Sequence, residues 1–248
     1  MIDQRIPRGS PLVKQAIVKW MAKYFYPQNC FAASITQHLP NNKALVLIDC
    51  PCGNGETTYH FARIPRATVR GYDLNDESLG NARRHFSLPN LTYEQQDIRS
   101  LVTESPHFDA FCIINSLYCF PDCERVLSQL RDLMHSDAQL FIIVDNIEGG
   151  ENYRQFAASH PVPSKKSPSS RLDALTKDEF RSYFESLGFV VKDVTPIVYT
   201  HSYHPLAGRL LSIFCHFYLA ALNVFQTSLR IGQPNYYLIR LQRAATAG

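Results

Sequence analysis

Apolar positions recur first at helical spacing. Val13, Ile17, Trp20, Met21 and Tyr24 share one face, with Lys14, Gln15, Lys19 and Lys23 opposite. Ser10 is placed to cap this helix, and Pro11 sits at its first position, where a missing N–H costs nothing. A second short helix is predicted from about Phe31 to Leu39, ending at Pro40-Asn41-Asn42. The pattern then changes. Ala44 to Asp49 is a continuous apolar run, as expected of a strand buried on both faces. A helix over 55–63, a strand over 68–73, a helix over 76–85 and a strand over 91–96 follow. Next come a strand over 108–115, a helix over 123–134 and a strand over 139–145. This alternation predicts βαβ units, hence a parallel sheet with right-handed crossovers.

The stretch 149–171 is polar and rich in Pro and Ser, which predicts a loop with little structure. Thr176-Lys177-Asp178-Glu179 forms a capping box opening a helix that Gly188 closes. Two final strands, 189–200 and 236–242, enclose an apolar helix from about Leu206 to Thr227. No repeat or linker divides the chain, so one α/β domain is expected over 1–248. Residues 1–43 form a helical cap, 44–145 a ligand-binding core, and 146–248 the substrate-side elements and last strands.

Composition narrows the classes. The 248 residues are 45% hydrophobic and 19% charged, enough apolar surface for a real core. The net charge is only +3, with no basic block of the kind that tracks phosphates, so no nucleic-acid partner is expected. Seven cysteines make an odd number, several of them inside apolar runs such as Ala110-Phe111-Cys112-Ile113-Ile114. The N-terminus lacks a signal-peptide pattern, and a reduced, cytoplasmic protein is expected. Cys50, Cys52, Cys119 and Cys123 match no common zinc spacing, so no metal is expected.

The candidate chemistry lies in Asp49-Cys50-Pro51-Cys52-Gly53-Asn54-Gly55, a glycine-rich turn from the first buried strand into a helix. Glycine lets backbone approach a ligand closely. Asp73 follows Gly55 by eighteen residues, at the end of the next strand, where a carboxylate can accept both hydroxyls of a ribose. Thr58 stands where a dinucleotide fingerprint would need its third glycine. The chain resembles the class I S-adenosylmethionine-dependent methyltransferases, whose first motif is an acidic residue followed by G-x-G-x-G. Two glycines match; Pro51 replaces the first, fixing φ and removing a donor.

The resemblance runs from about Leu45 to Val144. It implies a Rossmann-like doubly wound, mostly parallel seven-stranded sheet, with N-terminal helices and a helical insertion between the last two strands. It also implies S-adenosylmethionine as cofactor, held by Asp49, Pro51, Gly53 and Gly55. Gly71-Tyr72-Asp73-Leu74-Asn75 is similar to the second motif, implying ribose contact by Asp73 beside Leu74. Gln96-Asp97-Ile98 is similar to the motif whose acid meets the adenine amino group. Asn115-Ser116-Leu117-Tyr118 is similar to the motif beside the sulfonium, bringing in Asn115 and Tyr118.

Methyl transfer from a sulfonium needs mainly alignment of the nucleophile, and a base only when that nucleophile arrives protonated. His201 and His204, in the insertion between the last strands, are the candidate proton acceptors. Tyr24, Tyr26 and Tyr118 are candidates for aromatic contact with the cation. The helix 206–227 carries a polar seam (Arg209, Ser212, His216, Asn223, Thr227 and Arg230), unlike a membrane span. It is expected to act as a lid over a small apolar or aromatic acceptor, or else as a homodimer contact. The rivals are a nucleic-acid or protein methyltransferase and a non-catalytic cofactor-fold binding protein. The N/D-P-P-Y/F tetrapeptide that would favour the first rival is replaced here by Asn115-Ser116-Leu117-Tyr118.

Overall fold

A computed structural model describes residues 27–120, 122–145, 175–200 and 233–244. The helix expected after Ser10, the loop 149–171 and the helix 206–227 lie outside the described residues, as do Tyr24, Tyr26, His201 and His204.

The described elements, in chain order, are α1 (Pro27–Thr36), β1 (Leu45–Asp49), α2 (Glu56–Phe61), β2 (Ala67–Asp73), α3 (Asp76–His85), β3 (Leu91–Gln95) and α4 (Ile98–Thr103). They continue with β4 (Ala110–Ile114), a 3-10 turn (Leu117–Cys119), α5 (Cys123–Leu133), β5 (Gln139–Asp145), α6 (Lys177–Ser186), β6 (Phe189–Thr200) and β7 (Gln233–Arg243). The strands form one seven-stranded sheet in the order β3-β2-β1-β4-β5-β7-β6. Strands β1 to β5 pair in parallel, and β7 runs antiparallel between β5 and β6.

The apolar runs divide between two cores according to the strand period of two. Phe111 and Ile113 of β4, with Leu140 and Ile142 of β5, face Leu101, Val126, Leu130, Phe180 and Phe184 of α4, α5 and α6. Ala110 and Cys112, with Phe141 and Ile143, face Phe31, Ile35, Phe61 and Leu79 of α1, α2 and α3. The sheet is therefore covered on both sides, which is why its central strands show no polar alternation.

Several boundaries differ from the sequence expectation, and two short elements are new. α1 spans Pro27–Thr36 rather than 31–39, because its end tightens into a turn with His38 N–H on Ile35 O and Leu39 N–H on Thr36 O. α2 stops at Phe61, where Arg63 and Ile64 make the same kind of three-residue closure ahead of Pro65. β7 begins at Gln233, with Pro234 tolerated near the start of the strand. The new elements are the 3-10 turn over Leu117–Cys119 and α4, a six-residue helix with Ile98, Leu101 and Val102 buried. The Thr176–Glu179 capping box is formed as the sequence predicts.

Candidate functional site

The chain runs outward from β1 to β2 and β3, then returns to place β4 on the other side of β1. This reversal opens a crevice beyond the carboxyl ends of β1 and β4, where open parallel sheets bind ligands. β1 delivers Asp49 to that edge, and the Cys50–Pro51 bond that follows is cis.

The two glycines of the turn do different work. Both have positive φ, +54° at Gly53 and +80° at Gly55. A Cβ on Gly53 would meet nothing within 4 Å, so this side of the turn is open to a ligand. A Cβ on Gly55 would stand 2.5 Å from the Tyr93 hydroxyl and 2.8 Å from Ala82 Cβ, so Gly55 is required by packing from behind. Asp73, at the end of β2, accepts the Gly53 N–H at 2.7 Å on one carboxylate oxygen and the Asn75 N–H at 2.9 Å on the other. It therefore ties the turn to β2 and keeps lone pairs for further donors. Leu74 beside it is 60% exposed, an apolar surface at the crevice rim.

Asp49 is buried, and its Oδ2 accepts the Thr58 hydroxyl at 2.5 Å while Oδ1 has no partner. Burial pushes its pKa up to about 7; the Thr58 hydrogen bond opposes this and the Asp73 charge adds to it. The thiols of Cys50, Cys52 and Cys112 are also raised, chiefly by burial, with the Asp49 charge contributing, so they are inert neutral neighbours.

Six buried side-chain oxygen or nitrogen atoms among the described residues lack a partner. Three of them lie at the carboxyl ends of the central strands, Asp49 Oδ1 on the last residue of β1 and Asn115 Oδ1 and Ser116 Oγ just past β4; Asp122 Oδ1 stands farther on, at the start of α5. An unpaired buried polar group costs about 1–3 kcal/mol, which a ligand's donors recover. Asn115 also has φ +51°, a turn that swings the chain out of β4. The 3-10 turn places the backbone of Tyr118 beside this edge; its side chain lies outside what is described.

Asp97 caps the N-terminus of α4, accepting the Arg99 N–H at 2.8 Å, and its two oxygens also accept Arg99 Nε at 3.0 Å each. These Arg99 hydrogen bonds hold its carboxyl below the usual range. A ligand amino group at Asp97 must therefore share it with Arg99. Ile98 is buried in the core, leaving its backbone as the part within reach of the crevice. Pro51 is half-buried in the turn. His135 lies just past the end of α5 and stacks on His107 with ring centroids 5.4 Å apart. Sequence reasoning leaves out Thr58, Tyr93, Arg99, Ser116 and Asp122. Only Arg99, two residues from the capping Asp97, carries a local signal.

The residues present suit a cationic, adenosine-bearing cofactor. Gly53 is open, Asp73 has free lone pairs, Leu74 offers an apolar face, and the Asp49 carboxyl has an unsatisfied oxygen. Comparison with known proteins agrees. Residues 47–137, from β1 to the end of α5, match the family described as a methyltransferase domain. Trans-aconitate 2-methyltransferase of Deinococcus radiodurans is 32% identical over 122 residues, which is 49% of this chain and 46% of that protein. The chain thus spans about half the length of that relative. The Methylobacterium nodulans protein of the same name is 28% identical over 184 residues, covering 72% of this chain and 69% of its own. Among solved structures, magnesium protoporphyrin IX methyltransferase from Synechocystis PCC 6803, with bound S-adenosylhomocysteine, superposes with a TM-score of 0.56 at 14% identity. That superposition covers 98% of this chain and 93% of the other.

Proposed function

We propose that this chain, a member of the class I S-adenosylmethionine-dependent methyltransferase superfamily by its methyltransferase domain and its sheet, transfers a methyl group from S-adenosylmethionine to a small molecule. The observation that carries this is the glycine turn after β1, where Gly53 has open space around it and its N–H is bound to the Asp73 carboxylate at the end of β2. When bound, S-adenosylmethionine supplies a methyl group on a sulfonium, already an activated leaving group. Asp73 accepts the ribose hydroxyls on the lone pairs left by Gly53 and Asn75. Leu74 covers one face of the adenine, and Asp97 accepts from the adenine amino group beside Arg99. Asp49 faces the cationic end with its free oxygen, and Asn115 with Tyr118 borders the reacting centre.

The protein's part in the reaction is to orient the acceptor in line with the methyl group and to exclude water. His201 and His204 take the acceptor's proton where it has one to lose. A small acceptor, apolar or aromatic, is supported by Asn115-Ser116-Leu117-Tyr118 in the place of an amino-methylating tetrapeptide, and by relatives named for a small molecule. A reducing, cytoplasmic setting goes with buried thiols at Cys50, Cys52 and Cys112. No helix among the described residues is long and apolar enough to cross a membrane.

Thermal melting with added ligand tests the cofactor. S-adenosylhomocysteine is expected to raise the melting temperature by mass action. Stabilisation by NAD alone would overturn the assignment. With labelled S-adenosylmethionine and a cell extract, label is expected to reach a small molecule; label on protein or nucleic acid would overturn the substrate class.

A further inference from the structure

Tyr93 stands on the edge strand β3, outside the motifs that bring Asp49, Asp73, Asp97 and Asn115 together. In the register of β2 and β3 it lies opposite Gly71. A Cβ on Gly71 would sit 2.7 Å from Tyr93 Cδ1 and 3.0 Å from Cε1, so the ring occupies the space a side chain at 71 would take. Crossing β2 there, the ring brings its hydroxyl under the glycine turn. That hydroxyl lies 3.2 Å from the Gly55 carbonyl oxygen and 3.0 Å from that of Phe86, and its one proton is shared between them. The ring is only 8% exposed, and burial raises the phenol well above its ordinary range, so it remains a donor.

Gly55 anchors the turn through the peptide groups on both of its sides. Its carbonyl also accepts the Tyr59 N–H at 2.9 Å, fixing the start of α2. Its N–H donates to Cys52 O at 3.0 Å, and the Cys52 N–H donates to Tyr72 O at 2.8 Å. Between these anchors lies Gly53, whose N–H must meet Asp73. A tilt of the Gly55 peptide therefore moves the open face of Gly53 relative to the Asp73 carboxylate.

We propose that Tyr93 is a positioning residue for the cofactor site: threaded across Gly71, it holds the glycine turn from behind and sets the alignment of Gly53 with Asp73. The Tyr93 ring then stands against both Gly55 and Gly71, with Ala82 Cβ also against the first and Cys52 Sγ against the second. The proposal rests on the methyl-transfer function stated above.

Tyr93→Phe removes the hydroxyl and keeps the ring. Calorimetric titration with S-adenosylhomocysteine, well below the melting temperature, is expected to show about three- to tenfold weaker binding, the scale of one hydrogen bond. KM for S-adenosylmethionine should rise by a similar factor while kcat stays unchanged. A purely structural role would lower the melting temperature and leave affinity alone, so a change below twofold overturns the proposal. Should Tyr93→Phe fail to fold, Gly71→Ala, which keeps the phenol but displaces the ring, is expected to weaken binding in the same range. Unchanged affinity in that variant also overturns the proposal. A parent protein that binds no S-adenosylhomocysteine would instead overturn the methyl-transfer function, and this role with it.

Discussion

Asp49 is a carboxylate packed among thiols and a second acid, and no ion pair to it occurs among the described residues. Free of ligand, it must hold a proton or remain a buried charge. Its pKa lies at about 7 in the folded chain against 3.8 for an ordinary aspartate. The native state therefore binds more protons than the unfolded state between these values, and stability falls as pH rises through that interval. The contribution is complete below the unfolded value and lost above the folded one. Urea denaturation of the ligand-free protein at a series of pH values is expected to show this decline, amounting to a few kcal/mol. Asp49→Asn, which keeps an acceptor for Thr58, should flatten it; an identical slope in that variant would remove Asp49 as its source. Asp73 poses a different case, because it joins the turn to β2 as well as facing the crevice. Asp73→Ala is expected to cost roughly 2–4 kcal/mol of S-adenosylhomocysteine binding, about 30- to 1000-fold. The loss of two backbone-to-carboxylate bonds also lowers the melting temperature. Calorimetric affinity within about threefold of the parent would remove Asp73 from the ribose contact.

Helix α6 shows how local chemistry specifies an element. Glu179 accepts both the Thr176 N–H and the Thr176 hydroxyl at 2.7 Å, and Thr176 Oγ1 accepts the Glu179 N–H. Thr176→Ala should lower stability by about 1 kcal/mol in chemical denaturation without changing ligand affinity. A box of this kind is legible because all its partners lie within four residues. Strands β1, β4 and β5 are legible for a similar reason, since two-sided burial leaves a continuous apolar run. Helix α4 is not: at six residues, its three buried positions complete less than two turns of a periodic pattern. The site divides in the same way. Gly53 and Asp73 announce themselves by their spacing along the chain. The reason for Gly55 depends on the register between β2 and β3, which brings Tyr93 opposite Gly71. Ser116 lies inside the motif after β4 but nothing in that motif singles it out, and Asp122 carries no spacing signal; only the fold shows their oxygens unpaired.

Across the whole molecule, the two ends of the sheet are finished differently. At the amino ends of β1 and β4, Asp109 accepts the Val46 N–H at 2.8 Å and Lys43 Nζ at 3.1 Å, closing the edge with internal partners. At the carboxyl ends, Asp49 Oδ1, Asn115 Oδ1 and Ser116 Oγ are left without hydrogen-bond partners; beside the amino end of β5, His135 Nε2 and Gln139 Oε1 are too. Under the proposed function, the Asp109 contacts serve stability at the end of the strands opposite the cofactor. Asp109→Ala is expected to lower the free energy of unfolding by roughly 1–3 kcal/mol, since it strands a backbone donor. S-adenosylhomocysteine affinity should stay at the parental value, in contrast to Asp73→Ala. A large loss of affinity on replacing Asp109 would show that the two ends are coupled.

The outer hairpin has an evolutionary implication. Thr200 at the end of β6 lies directly opposite Gln233 at the start of β7, so the chain departs from the sheet and rejoins it at adjacent points. Closing a longer or shorter excursion between two fixed neighbours changes the entropy only logarithmically with length. Residues 201–232 can thus drift, lengthen or be exchanged between lineages without shifting the register of any strand. The sheet works as a socket that fixes the two attachment points of that span. Under the proposed function, exchanging residues 201–232 between relatives asks whether that span chooses the acceptor: the methylated product is expected to follow the span while the methyl donor stays the same.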